Sequence, residues 1–153
     1  FSTSALRYAS ELSEYAGECE TATVIGSGAS VSEYVIHQTE MLVKLMGLGA
    51  KRLTALNDND QHIIRVEYAD GRNANIVFVS NYGTPTAFIP CKNGGESKFI
   101  QITSSFFESL IADILKFYEN GQLPFDSLET LEVMKVRDAI IKSEKNSEQW
   151  IEI

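Results

Sequence analysis

The residues of this chain best suited to chemistry lie at helical spacing within the segment VSEYVIHQTEMLVKLMG. Glu33, His37, Glu40 and Lys44 fall at positions i, i+4, i+7 and i+11, so they share one face of a helix. An imidazole with a carboxylate one turn earlier can be held in one tautomer and kept basic near neutral pH, as a general base requires. The spacing by itself fits a simpler interpretation better, which is a solvated helix face with a partly exposed histidine.

A second candidate is the segment Gly26-Ser27-Gly28-Ala29-Ser30, which holds the first two glycines of a dinucleotide-binding G-x-G-x-x-G turn. Val31 stands where the third glycine or alanine belongs, and we expect no parallel β-α-β unit around the segment. We therefore interpret it as a plain connection from a strand to a helix and expect no cofactor site on this chain. His37 and His62 lie in different predicted elements, which is a poor basis for a metal site, and none is expected.

Size and composition indicate one soluble domain. The 153 residues suffice for a single core over 1–153, and no apolar run approaches the roughly 20 residues of a membrane span. A net charge of −8 disfavours nucleic acid as a partner, because the surface repels phosphate. Cys19 and Cys91 are expected to be two buried thiols in a reducing, cytoplasmic protein, with one disulfide between them as the alternative.

Periodicity and turn signals predict an α+β fold. Helices are expected over Ser2–Ala16, over Val31–Gly47 with a Val35/Leu42/Met46 stripe, and from Phe107 to a stop at Asn120-Gly121. A last helix over Ser127–Ser143 follows Asp126, which fits a capping box with Glu129. The tight turns, including the hairpin signal Asp70-Gly71, predict an open, mainly antiparallel sheet with helices on one face. Strands are expected at Thr21–Ile25, Arg52–Leu56, Ile63–Ala69, Asn73–Ser80, Thr86–Ile89 and Lys98–Thr103, with a short strand at the end.

Several segments together resemble one known domain. The final stretch FFESLIADILKFYENGQLPFDSLETLEVMKVRDAIIKSEKNSEQWIEI, the helix HQTEMLVKLMG and the segments FSTSALRYASEL, GAKRLTAL and VEYADGRNANIVF resemble the C-terminal domain of Gfo/Idh/MocA-family dehydrogenases. The resemblance covers almost the whole chain. It implies a substrate-binding and oligomerisation domain whose dinucleotide-binding (Rossmann) domain, which would bind NAD or NADP, is absent from this chain.

The same resemblance implies roles for individual residues. In this family a helix carrying D-x-x-x-H lines the cleft between the two domains, and its histidine is commonly the base that takes the substrate hydroxyl proton. His37 occupies the histidine place and Glu33, a longer acid, the aspartate place. Arg7 and Tyr8 would lie near the domain junction and approach the substrate, although Arg7 could equally be a surface or interface salt-bridge residue. The family's catalytic lysine belongs to the other domain and has no counterpart here.

The expected function is therefore that of the substrate-side domain of a dehydrogenase acting on a sugar, cyclitol or related polyol. A non-catalytic dimerisation or interaction module is the alternative, and a small-ligand binding protein would need a closed apolar pocket. A homo-oligomer through the open sheet face is expected, with Val77, Val79 and Ile89 as candidate interface residues.

Overall fold

A seven-stranded sheet forms the centre of the computed structural model, which describes residues 6–17, 19–58, 61–81, 83–90 and 95–153. The strand order is β6-β5-β1-β4-β3-β2-β7, and every neighbouring pair is antiparallel except β1 and β4. The α+β fold class is thereby confirmed. The strands are β1 Thr23–Gly26, β2 Ala50–Asp58, β3 Gln61–Tyr68, β4 Asn73–Val79, β5 Thr86–Ile89, β6 Lys98–Gln101 and β7 Ile151–Glu152.

One parallel pair of strands lies beside the glycine segment, but β2 and β3 intervene in its connection, so it is not a β-α-β unit. β1 pairs in parallel with β4, in a register that sets Thr23 opposite Asn75 and Gly26 opposite Phe78. The chain passes through a helix and the hairpin-linked strands β2 and β3 before it returns as β4, so the local turn signals gave no indication of this pairing.

Four helices accompany the sheet: α1 Ser10–Ser13, α2 Val31–Met46, α3 Phe106–Asn120 and α4 Ser127–Ser143. α2 and α4 pack against each other and against the sheet, α2 on β1 and β4 and α4 on β2. Alternate strand residues point at this helical layer, as the period-2 geometry of strands requires. One buried row crosses six strands and comprises Ala55, Ile64, Ile76, Val24, Ala87 and Ile100.

The first predicted helix is not continuous. Residues 1–5 lie outside the described part, a 3-10 turn covers Leu6–Tyr8, and Ala9 is extended with ψ 124° before α1 begins. Leu6 and Leu12 are buried as their helical spacing suggested, but so is the charged Arg7. The interactions of the Arg7 side chain with the interior fix this turn, which a pattern of apolar residues alone does not reveal.

The ends of the longer helices follow local rules. Gly47 ends α2 with φ 71°, and Gly121 ends α3 in the left-handed conformation that glycine tolerates best. The Asp126 carboxylate accepts a hydrogen bond from the Leu128 N–H, as an N-cap should. Within the described ranges, no helix combines the length and apolar composition needed to cross a bilayer.

A carboxylate fastens α3 at its beginning. Glu11 accepts hydrogen bonds from the backbone N–H groups of Thr103 (2.8 Å) and Ser104 (2.7 Å) and from the Ser104 hydroxyl (2.5 Å). Burial alone would raise the pKa of Glu11, but these hydrogen bonds lower it to about 2. The charged form of Glu11 therefore holds the segment that leads into α3.

Candidate functional site

His37 lines an apolar pocket at the edge of the helical layer. The pocket has a volume of about 230 Å³ and is formed by the 3-10 turn, the end of β1, α2, the loop before β5 and the beginning of α3. Its polar groups come from the histidine, Ser27 and the Gln38 amide. An apolar pocket with few polar groups is the usual form of a small-molecule site. The wall comprises Leu6, Ser27, His37, Gln38, Gly83, Pro85, Phe106 and Phe107.

The surroundings of His37 favour a neutral imidazole. Burial lowers its pKa from the usual 6.5, and the negative charge of Glu40 partly opposes this effect. The ring also lies 6.0 Å from the ring of Tyr34, centroid to centroid. An imidazole that is neutral at pH 7 can accept a proton on its unprotonated ring nitrogen, so His37 meets the first requirement of a general base.

The glycines at the end of β1 and in the segment after it allow side chains of α2 to pack directly on the backbone. A Cβ on Gly26 would collide with the Gln38 side chain, and one on Gly28 would collide with the Cβ and Cγ of Tyr34. In the amide orientation that satisfies both its nitrogen and its oxygen, Gln38 donates to the Tyr34 carbonyl (3.0 Å) and accepts from the Ser27 N–H (3.2 Å). The space above these glycines is therefore filled by α2 side chains. This arrangement does not fit a pyrophosphate, which needs the open space itself.

The four polar residues of α2 occupy different environments. Glu33 is exposed and does not line the His37 pocket, whereas His37 is half-buried. Glu40, two turns after Glu33, is completely buried, so the interpretation of this face as solvated was wrong at that residue. Among carboxylates, Glu40 rather than Glu33 is the one that acts on the His37 pKa.

Glu40 is buried because it pairs with Arg7. The guanidinium Nη2 and Nε donate to Glu40 Oε1 at 3.0 and 3.2 Å, and both side chains are almost inaccessible to solvent. Arg7 also donates to the Thr130 hydroxyl at 3.0 Å, lies 3.7 Å from the Glu129 carboxylate and covers the Phe125 ring at 5.2 Å. This network joins the 3-10 turn, α2 and α4. Arg7 is thus a salt-bridge residue, but a buried one and not the surface or interface residue of the alternative.

Arg7 and Tyr8 line a different pocket from His37. Theirs has a volume of about 330 Å³ and lies between the 3-10 turn, α2, α3 and the beginning of α4. Leu6, on the same turn, faces the His37 pocket instead. The structure thus separates the sequence-predicted residues into two neighbouring sites. In the described part of the chain, no group of three or more His, Cys, Asp or Glu side chains could hold a metal ion. Cys19 is buried, and its thiol donates to the Tyr15 carbonyl at 3.7 Å.

Sequence reasoning missed the aromatic wall of the His37 pocket. Phe106 and Phe107 begin α3, and their rings lie 4.9 Å apart. Phe107 was interpreted only as the start of a closing helix. That helix, α3, has no buried residue, because it contacts mainly the 3-10 turn. The adjacent pair of phenylalanines was the sequence signal for this wall. Neighbouring residues of a helix point in different directions, so one buried face cannot take both rings.

The sheet face opposite the helices carries an exposed apolar band. One row of side chains crosses four strands on this face and comprises Leu56, Ile63, Val77 and Ile25. On the same face, Phe88 of β5 lies opposite Phe99 of β6. Val79 shares this face with Val77 by its alternation along β4. Ile89 does not, because it alternates with Phe88 and packs against the buried core, so its assignment to this face was wrong. Tyr82 and Cys91 lie outside the described residues.

Comparison with known proteins gives matches by structure alone. No family model and no curated protein matches the sequence. A myo-inositol dehydrogenase from Corynebacterium glutamicum is similar with a TM-score of 0.71 at 11% identity, over 97% of this chain and 63% of that one. GenD2 from gentamicin A biosynthesis, in complex with NAD, has a TM-score of 0.69 at 12% identity, over 100% of this chain and 61% of that one.

A third match extends the same pattern. An aldose-aldose oxidoreductase from Caulobacter crescentus, complexed with glycerol, has a TM-score of 0.60 at 10% identity, over 97% of this chain and 62% of that one. The chain thus spans about three fifths of the length of each of these proteins. Identities this low establish the fold and nothing finer. The chain has the fold of the C-terminal domain of Gfo/Idh/MocA-type dehydrogenases, as its resemblance to them predicted.

Proposed function

We propose that this chain is the substrate-side domain of an NAD(P)-dependent oxidoreductase acting on a hydroxyl or carbonyl group of a sugar, cyclitol or related polyol. The observation that carries the proposal is His37, a half-buried imidazole with a lowered pKa in an apolar pocket of a dehydrogenase-type fold. The dinucleotide-binding domain would be a separate unit, because the glycine segment of this chain is filled by Gln38 and Tyr34.

In this proposal His37 removes the proton from the substrate hydroxyl. The wall of Leu6, Phe106 and Phe107 keeps water from the imidazole and preserves its basicity. Glu33, exposed one turn earlier, would support the imidazole once the second domain covers the site. The bound nicotinamide would supply the hydride acceptor from the other domain, and the lysine of the family would come from there too.

Arg7 has a positioning role in the same proposal. Its buried pairing with Glu40 fixes the 3-10 turn that contributes Leu6 to the His37 pocket. Tyr8 follows on that turn but lines the second pocket, so we assign it no contact with the substrate in the His37 pocket. We place the protein in a reducing, cytoplasmic compartment, where a buried thiol such as that of Cys19 stays reduced.

The alternative is a non-catalytic dimerisation module, and the exposed apolar band on the sheet is the observation that favours it. A scaffold would use this band and leave His37 without a role. The two functions are compatible with one homo-oligomer, so the state of assembly alone does not distinguish them.

The distinguishing experiment joins this chain to a dinucleotide-binding domain and measures NAD(P)-dependent oxidation of polyols. We expect no turnover from the 153 residues alone, because donor and acceptor must be held in contact. In the joined protein, His37→Ala should lower turnover about 10²–10⁴-fold, the usual cost of losing a general base. The matched control is His62→Ala, a strand residue whose ring contacts Asn57 and Phe78. Equal losses in both variants would contradict the proposal.

A further inference from the structure

The pocket beside Arg7 and Tyr8 differs in chemistry from the pocket beside His37. Most of the side chains around its volume of about 330 Å³ are polar, and the apolar part of its wall includes Ala112, Pro124 and Phe125. The size lies at the lower end of the range for small-molecule sites. Its polar wall comprises Arg7, Tyr8, Ser13, Lys44, Ser109, Asp113, Lys116 and Glu129.

The charges around this polar pocket nearly cancel. Glu40 neutralises Arg7 from the buried side, and Lys116 lies 3.2 Å from Asp113. Glu129 lies 3.7 Å from Arg7 and is the third carboxylate of this set, and Lys44 is its third cation. A balanced set of cations and carboxylates gives neither an anion nor a cation a net advantage. A neutral ligand is therefore favoured.

The hydrogen-bonding groups of the wall point to hydroxyl groups on that ligand. Ammonium groups only donate, carboxylates only accept, and serine hydroxyls do both. A molecule that satisfies all three must itself donate and accept at several neighbouring positions, as a polyhydroxylated ring or chain does. Lys44 has no ion pair in the described part of the chain, and the buried phenol oxygen of Tyr8 has no hydrogen-bond partner there either.

We infer that this polar pocket is a second binding site, separate from the His37 pocket, for a small neutral polyhydroxylated molecule such as a cyclitol or monosaccharide. The rigid side of the site is the buried Arg7–Glu40 pair, which holds the turn carrying Tyr8. The site needs no cofactor domain, because all the residues named belong to this chain. It therefore goes beyond the proposed function and stands or falls independently of it.

The test is titration of the 153-residue chain with myo-inositol, followed by amide NMR, with cyclohexanol as the comparison ligand. Cyclohexanol has the same ring with one hydroxyl and suits the apolar pocket better. We expect saturable shifts with myo-inositol, in about the millimolar range, at Ser13, Lys44, Ser109 and Asp113. Cyclohexanol should produce no saturable shifts at these residues.

Variants locate the site. Asp113→Asn and Lys44→Met should each weaken myo-inositol binding about tenfold, because each removes one charge-assisted hydrogen bond. Lys135→Met, an exposed lysine of α4 outside the pocket, should leave the affinity unchanged. His37→Ala should also leave it unchanged.

Three outcomes would overturn the inference. They are the absence of saturable binding, equal binding of cyclohexanol at these residues, and shifts confined to the His37 pocket that His37→Ala abolishes. None of them bears on turnover in the joined protein, so failure here and failure of the proposed function are distinguishable.

Discussion

At the scale of single residues, the main feature is Glu40, which pairs with Arg7 and whose charge acts on the His37 pKa. His37 faces an apolar pocket, and Glu40, less than one turn later, faces a buried guanidinium. The carboxylate satisfies Arg7 and also keeps the His37 pKa from falling as far as burial alone would lower it. One buried acid thus stabilises the fold and adjusts the candidate base.

The buried pair gives a prediction about stability. Glu40→Gln leaves the Arg7 guanidinium buried without its counter-charge, so we expect a loss of about 3–5 kcal/mol in the free energy of unfolding. Urea denaturation monitored by circular dichroism measures it. The control is Glu67→Gln, because Glu67 pairs with Arg52 and Arg65, whose side chains are 39% and 54% exposed. That change should cost less than about 1 kcal/mol. Similar losses in the two variants would contradict the role assigned to Glu40.

These residues also show what a sequence can reveal about a site. Helical spacing placed Glu33, His37 and Glu40 on one face, and the resemblance to a dehydrogenase domain singled out His37. Neither could show that Glu40 is buried, because its partner Arg7 lies 33 positions earlier in a turn with no regular pattern. The assignment of Arg7 and Tyr8 to another pocket depends on the same long-range contact.

At the scale of elements, the connection from β1 to α2 determines the shape of the His37 pocket. Gly26 and Gly28 allow the Gln38 and Tyr34 side chains to lie directly on the loop backbone, and Gln38 and Ser27 form part of the pocket. Because the glycines serve close packing, their spacing imitates a nucleotide-binding turn without its open space.

This account of the glycines can be tested by adding one methyl group. Gly28→Ala should lower the free energy of unfolding by about 1–3 kcal/mol, because the new Cβ meets Tyr34 near its backbone and the loop must move. The matched control is Gly83→Ala, where a Cβ would meet open space and the change should stay within about 0.5 kcal/mol. Thermal or urea denaturation of both variants measures the difference, and a neutral Gly28→Ala would contradict the packing role.

The elements themselves could largely be predicted from the sequence. Asp70-Gly71 marked the turn between β3 and β4, and Asp126 marked the beginning of α4. The pairing of β1 with β4 could not be predicted, because their register is set by the packing of α2 beneath them rather than by a turn. The break in the first predicted helix could not be predicted either, because the buried Arg7–Glu40 ion pair competes there with helix propensity.

At the scale of the whole molecule, the open sheet face is the feature on which the proposal of a homo-oligomer rests. An apolar band across the sheet is costly to leave in water, and a second copy of the same face would cover it. Val77, a candidate interface residue, lies in this band beside the exposed Ile63 and Leu56.

The sheet face gives a prediction about assembly. We expect the chain to form a homo-oligomer that Ile63→Arg weakens at least tenfold, because a buried unpaired charge opposes association. Sedimentation equilibrium measures the association constant. Leu115→Arg is the control, since Leu115 is exposed on α3, away from the sheet. An association unaffected by Ile63→Arg, or weakened equally by both changes, would place the interface elsewhere.

The central claim is that His37 is the base of a polyol dehydrogenase, and the pH dependence of kcat/KM tests it most directly. The measurement uses the joined protein with its polyol substrate. Because burial lowers the His37 pKa, the imidazole stays neutral at pH 7 and loses its lone pair only under more acidic conditions. We predict that kcat/KM falls tenfold per pH unit below an apparent pKa under 6.5, and that this acid limb disappears in His37→Asn. An acid limb that persists unchanged in His37→Asn would contradict the account.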